Sequence, residues 1–185
     1  TRNSTMSKSQ ISYEGYTFVP YIKQAEIEAR IAELGKQITE EYKGRVPVMI
    51  CVLNGAFPFA SDLFRKIEGD AEIGFIRVSS YCGTQSTGVV KEVVPLTMDI
   101  EGRDVIVVED IVDTGHTIVK LLDVLGARKP ASIKVATLLF KPEALQHDIT
   151  PDYVGFSIPK KFIIGFGLDI NNLGRNLSDI WVVAE

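Results

Sequence analysis

The sequence predicts an α/β fold: a mostly parallel, twisted sheet flanked by helices, with a small hood over the carboxyl ends of the strands. Three observations predict it. Runs rich in branched apolar residues, such as VIVV at 105–108 and VMICVL at 48–53, are of the kind buried on both faces of a parallel sheet. Each run leads through a turn of small or acidic residues into a second helix-like stretch. This alternation of strand and helix spans residues 23–140, which implies parallel strands joined by crossover helices on both faces.

Taken in order, residues 1–10 (TRNSTMSKSQ) read as a disordered or tag-like segment containing Met6, with no apolar stretch of the secretory kind. Residues 11–185 read as one domain, whose hood is formed by about 11–22 and 150–185. Ala25, Ile27, Ile31, Leu34 and Ile38, with charged residues between them, predict an amphipathic helix over 23–42, and Gly44 can end it. A strand over 46–53 meets Asn54-Gly55-Ala56 and a helix from about 57 to 67. Residues 72–80 and 89–96 look extended, and the SSYCGTQSTG between them reads as a hairpin loop or as a lid. After the strand 105–108, which Glu109 and Asp110 end, Ile118, Leu121, Leu122 and Leu125 predict a helix over 117–125, closing near Gly126. A strand over 132–140 delivers Lys141 just before Pro142. Two short strands, 153–156 and 161–164, lie about Ile158-Pro159, and a last strand over 180–184 closes the chain.

Composition narrows the function classes. With 45% hydrophobic and 24% charged residues the 185-residue chain is an ordinary globular one, and its net charge of −4 gives no sign of a nucleic-acid footprint. No run approaches the roughly 18 apolar residues of a membrane span. Cys51 lies in an apolar run and Cys82 in a polar loop; two cysteines without a C-x-x-C, and two histidines, argue against structural zinc and fit a reducing cytoplasm.

The stretch 105–122 (VIVVEDIVDTGHTIVKLL) carries the chemistry. The carboxyl end of a parallel strand is where open α/β sheets place ligands, and the unpaired amides of a helix start make an anion site there. Thr114 and Thr117 add hydroxyls, and Gly115 permits a tight turn. Phosphate is the natural guest. Glu109 and Asp110 would repel it unless they face sugar hydroxyls, a magnesium ion or both. The plainer alternative is a helix start capped by Asp113 or Thr114. No G-x-x-x-x-G-K-S/T loop is present, and the single DTG lacks the second aspartate and the all-β surround of an aspartic protease. A phospho-acceptor reading leaves the DTGHT turn unexplained. Elsewhere, Lys141 alone reads as a solvated lysine, and Asp169 with Arg175 as a surface ion pair.

The run VIVVEDIVDTGHT resembles the phosphoribosyl-pyrophosphate motif of type I phosphoribosyltransferases, and further matches over about 12–184 point to the hypoxanthine-guanine branch. The resemblance implies that fold, and transfer of the 5-phosphoribosyl group from phosphoribosyl pyrophosphate to N9 of hypoxanthine or guanine. It also implies Mg2+, a homodimer or homotetramer, and neither membrane nor nucleic acid as partner. By resemblance, Glu109 and Asp110 serve the ribose or magnesium, and Asp113, Thr114, Gly115, His116 and Thr117 hold the 5′-phosphate, His116 through its backbone only. Asp113 is also the general acid/base near N7. Leu53, Asn54 and Gly55 match the pyrophosphate loop, with a cis peptide expected at Leu53–Asn54. Asn54 stands where the family commonly has lysine, so backbone amides are expected to make the contacts. Ser80-Tyr81 match the start of the catalytic lid, and Lys141 the donor to a 6-oxopurine. In KFIIGFGLD, Phe162 stacks on the base, Ile163 meets its edge and Asp169 binds the metal beside the base, while Arg175 holds pyrophosphate. His147 and Asp179 receive no role. A nucleotide-sensing regulator of RNA or DNA on the same fold, or a transferase for xanthine or another base, are the alternatives.

Overall fold

The computed structural model describes residues 9–79 and 91–185. Two sheets organise them. The larger has six strands in the order β5-β4-β3-β6-β7-β8: β3 is Val48–Val52, β4 Glu72–Val78, β5 Glu92–Val94, β6 Asp104–Val112, β7 Ser132–Phe140 and β8 Tyr153–Ser157. All neighbours are parallel except β4 and β5.

The apolar runs split by parity between two cores, as a pleat with side chains alternating across it requires. Met49, Cys51, Ile106 and Val108 meet helices α1 (Gln24–Glu41) and α2 (Phe57–Phe64) on one face. Val48, Ile50, Val105 and Val107 meet helix α3 (His116–Gly126) on the other, through Ile118, Leu121 and Leu125. Burial on both faces explains why these strands carry no polar alternation.

The hood is a four-stranded antiparallel sheet in the order β1-β2-β10-β9, built from Ile11–Tyr13, Tyr16–Ile22, Ile180–Val183 and Ile163–Ile164. Phe18, Ile164, Ile170 and Trp181 form its own small core.

Two differences from expectation have identifiable causes. Strand β6 does not end at Glu109 but runs to Val112, because β7 keeps pairing with it, Glu109 to Thr137 and Val112 to Phe140. The acidic pair is therefore held inside a ladder. Residues 153–157, placed with the hood by sequence, instead extend the large sheet beside β7, with Tyr153 buried. Arg30 of α1 donates to the carbonyls of Val154 (2.7 Å) and Gly155 (2.9 Å), which blunts that exposed edge. Helix α1 begins on Lys23 without a side-chain cap of its own; Asp179, from just before β10, accepts the Gln24 amide at 2.7 Å.

Strand order decides where the site lies. From β3 the chain first adds β4 on one side and then returns to place β6 on the other. Such a reversal opens a crevice beyond the carboxyl ends of the two central strands. Those ends carry 53–56 and 109–117, the two stretches singled out by sequence.

Candidate active site

A cavity of about 410 Å³ opens at this point. Its floor is the loop after β3 (Leu53, Asn54, Gly55) together with Glu109 and Asp110 of β6. Asp169 and Arg175 come down from the hood, and Thr117 reaches in from α3. A second cavity of about 200 Å³ follows 109–118, sharing Glu109, Asp110 and Thr117. Two cavities thus share one carboxylate pair.

The loop after β3 is shaped by close approach. The Leu53–Asn54 peptide is cis. A Cβ on Gly55 would collide with Asp110 Oδ2 and lie 2.8 Å from its Cγ, and one on Gly167 would collide with the Gly55 carbonyl oxygen. The hood, this loop and the acidic pair therefore meet with no room for side chains. Arg175 is pinned across the junction: Nη1 donates to the Gly167 carbonyl at 2.7 Å, and Nη2 lies 3.4 Å from Asp169 Oδ2. Asp169 itself accepts the Asn172 amide at 2.8 Å.

Burial dominates the electrostatics. Glu109 is buried, and desolvation, reinforced by the charge of Asp110, raises its pKa well above the ordinary carboxylate range. Desolvation pushes Asp110 up to about 6, against the pull of the Ile111 amide, which donates to Oδ1 at 2.7 Å, and of Arg175. The folded value lies above the ordinary 3.8, so ionisation costs stability. The cost is absent below that ordinary value, grows between it and about 6, and is full above. Asp110→Asn, which keeps the bond to the Ile111 amide, is therefore expected to stabilise the ligand-free protein at pH 7.5 by about 1–3 kcal/mol. The gain should vanish near pH 4. Urea unfolding of both proteins at the two pH values checks this; a variant no more stable than wild type at pH 7.5 refutes it.

A buried carboxylate beside a partly buried one suits a hard cation. Glu109, Asp110 and Asp169 line one cavity, and magnesium typically takes one or two carboxylates, leaving its other positions to phosphate oxygens and water. Among the described residues no three His, Cys, Asp or Glu side chains form a ready-made cage. The donor set thus fits an ion arriving with a phosphorylated substrate.

At the start of α3, Gly115 is the cap residue, with φ of +89°, the left-handed conformation glycine accepts at least cost. Thr114 Oγ1 accepts the His116 amide at 3.3 Å, so the helix start is held from Thr114, one residue before the cap position. Asp113 Oδ2 lies 3.4 Å from Lys141 Nζ; the lysine side chain is mostly buried and the aspartate half-exposed. Lys141 is thus not the freely solvated lysine that its position alone suggests. Phe162 stands apart from both cavities, 39% exposed, with Phe18 and Tyr16 ring centroids at 5.6 and 5.7 Å. Ile163 is buried within β9, paired to Val182. Ser80, Tyr81 and Cys82 lie outside the described residues.

Sequence reasoning missed Arg77 and Ser79, which line the larger cavity. The available signal was a lone arginine near the carboxyl end of an apolar strand, and it becomes legible only once β4 is known to run parallel to β3.

The model of the phosphoribosyl transferase domain family matches residues 21–171. A hypoxanthine-guanine phosphoribosyltransferase of Streptococcus thermophilus is 46% identical over 163 residues, covering 88% of this chain and 91% of the relative. A hypoxanthine phosphoribosyltransferase of Salmonella typhimurium is 44% identical over 165 residues, 88% of this chain and 93% of the relative. Among solved structures, a Bacillus anthracis hypoxanthine-guanine phosphoribosyltransferase with a HEPES molecule in its active site superposes with a TM-score of 0.83 at 42% identity, covering 90% of this chain and 96% of the other.

Proposed function

Since the chain belongs to the phosphoribosyltransferase family, we propose that it transfers the 5-phosphoribosyl group from phosphoribosyl pyrophosphate to N9 of hypoxanthine or guanine. The products are IMP or GMP and pyrophosphate, which is a purine-salvage reaction. The observation that carries this reading is the acidic pair of β6, which lines two adjoining cavities at once. A ribose bearing phosphate at C5 and pyrophosphate at C1, with hydroxyls between, can set its hydroxyls at that pair and a phosphate group in each cavity.

In the reaction the bond from C1 to the pyrophosphate oxygen breaks and the bond from C1 to N9 forms, through an oxocarbenium-like ribose. Negative charge gathers on the leaving group while positive charge develops on the sugar, so each needs its own partner. Glu109 and Asp110 face the ribose hydroxyls and the developing cation. The amides of 53–55 and the Arg175 guanidinium hold pyrophosphate. The loop from Asp113 to Thr117 holds the 5′-phosphate. Asp113 manages the proton at N7, and its neighbour Lys141 donates to the 6-oxygen of the base, so the acid/base and the base-reading cation form one unit. Phe162 stacks on the purine, backbone groups around Ile163 meet its edge, and Asp169 would bind the metal beside the base. Ser80-Tyr81 begin the lid that keeps water from the activated sugar. Glu109, Asp110 and Asp169 are the residues that would hold magnesium, which when bound would neutralise charge on the leaving pyrophosphate. The working enzyme is a cytoplasmic homodimer or homotetramer.

The test is pyrophosphate release from phosphoribosyl pyrophosphate with hypoxanthine, guanine, xanthine and adenine in parallel. Turnover is expected with the first two. Binding of phosphoribosyl pyrophosphate without turnover on any base would overturn the reading in favour of a regulator. Phe162→Ala is expected to raise KM for hypoxanthine about tenfold or more, the loss of one aromatic stack, with KM for phosphoribosyl pyrophosphate changed far less. Steady-state kinetics with each substrate varied in turn separates the two.

A further inference from the structure

The segment following Lys141 lies along the loop read above as the 5′-phosphate cradle. Lys141 faces Asp113, and the Gln146 amide donates to the Thr114 carbonyl at 2.8 Å. Leu145 and His147 roof Gly115, their Cδ1 and Cδ2 atoms 3.0 and 3.4 Å from where a Cβ would be. His147 Nε2 then lies 2.6 Å from His116 Nδ1, with the rings edge to face, centroids 4.8 Å apart and planes at 83°. One ring nitrogen donates and the other accepts, so the bond needs at least one neutral ring.

His116 is the first residue of α3, where backbone amides have no partner within the helix. Its own amide is held by Thr114 Oγ1 at 3.3 Å, and the cap residue itself, Gly115, has no side chain to hold the helix start. A clamp on the His116 ring therefore sets where this first turn points. Both histidines were without a side-chain role by sequence, and His147 lies 31 positions away.

We propose that His147 is a positioning residue for phosphate binding: its hydrogen bond to His116 locks the first turn of α3 so that the amides and hydroxyls of 114–117 converge on the 5′-phosphate. The inference rests on that loop being the phosphate cradle. It makes the stretch 141–147 a strap linking the base end of the site, at Lys141, to the phosphate end, at His116.

The experiment measures ribose 5-phosphate affinity by calorimetry for wild type, His147→Ala, His147→Gln, His116→Ala and the double alanine variant, with turnover kinetics alongside. His147→Ala is expected to weaken ribose 5-phosphate binding about three- to tenfold, the worth of one hydrogen bond. KM for phosphoribosyl pyrophosphate should rise by a similar factor while kcat holds. Glutamine, whose amide reaches the Nε2 position, should restore most of the affinity. The double variant should bind no more weakly than His116→Ala. Equal binding by His147→Ala and wild type, or single losses that multiply in the double variant, would overturn the proposal. Wild-type turnover with an inert His147 removes the positioning role alone. A His147-dependent ribose 5-phosphate site without turnover removes the salvage reaction alone.

Discussion

Asp113→Asn is expected to lower kcat with hypoxanthine by about 10²-fold or more, the worth of a positioned general acid/base. In that proposed role the carboxylate acts on a proton that moves only in the transition state, so KM for phosphoribosyl pyrophosphate should change by far less than kcat. There is a second consequence. Asp113 Oδ2 is 3.4 Å from Lys141 Nζ, and the lysine side chain is only 12% exposed. Asparagine leaves that ammonium without its ionic partner, so KM for the purine should rise as well. Asp113→Glu keeps the charge and displaces it, and should recover binding of the base before it recovers rate. Pyrophosphate release under saturating and limiting purine resolves the two effects; a kcat within threefold of wild type would remove Asp113 from proton transfer.

Gly167→Ala should be the most damaging substitution of a single small residue. Its φ of +101° disfavours any side chain, and the new Cβ would collide with the Gly55 carbonyl oxygen while lying 3.1 Å from its carbon. Backbone cannot swing aside as a side-chain tip can. The strain alone is about 1–3 kcal/mol, and relief requires the hood to part from the loop after β3. Both Tm and activity should fall. Gly55→Ala separates the two effects. No positive φ opposes it, and the group in the way is the Asp110 carboxylate, with Arg175 Nη1 at 3.3 Å. Its expected signature is a large loss of kcat/KM with a small change in Tm. Gly126→Ala, where nothing lies within 4 Å of the new Cβ, is the matched control for both measurements. Equal activity of Gly55→Ala and the control would mean that the acidic pair does not need its present contact with the loop.

Strand β7 was legible to the residue, and α1 to within one residue at each end, because apolar runs and helical periodicity are properties of neighbouring residues. Strand β6 was underestimated because pairing with β7 overrides the poor strand preference of Glu109 and Asp110. Residues 153–157 were expected in the wrong sheet because a short strand does not encode its partner. The loop at 53–55, the acidic pair, Asp169 and Arg175 were recognisable as motifs, and that they share a cavity follows from the strand order and the placement of the hood.

By itself, then, the sequence determined the class of fold, the position of each strand–turn–helix unit and the phosphate-and-sugar character of the chemistry. Tertiary structure alone decided the reversal between β3 and β6 that opens the crevice, and the glycine contacts that close hood on loop. It also decided Arg77 in the cavity wall, Asp179 capping α1 from 155 residues away, and the His116–His147 clamp. The physical reason is range. Local patterning specifies what a segment can bury, whereas which segments meet is settled by covering both faces of one sheet, a condition that segments distant in sequence meet together.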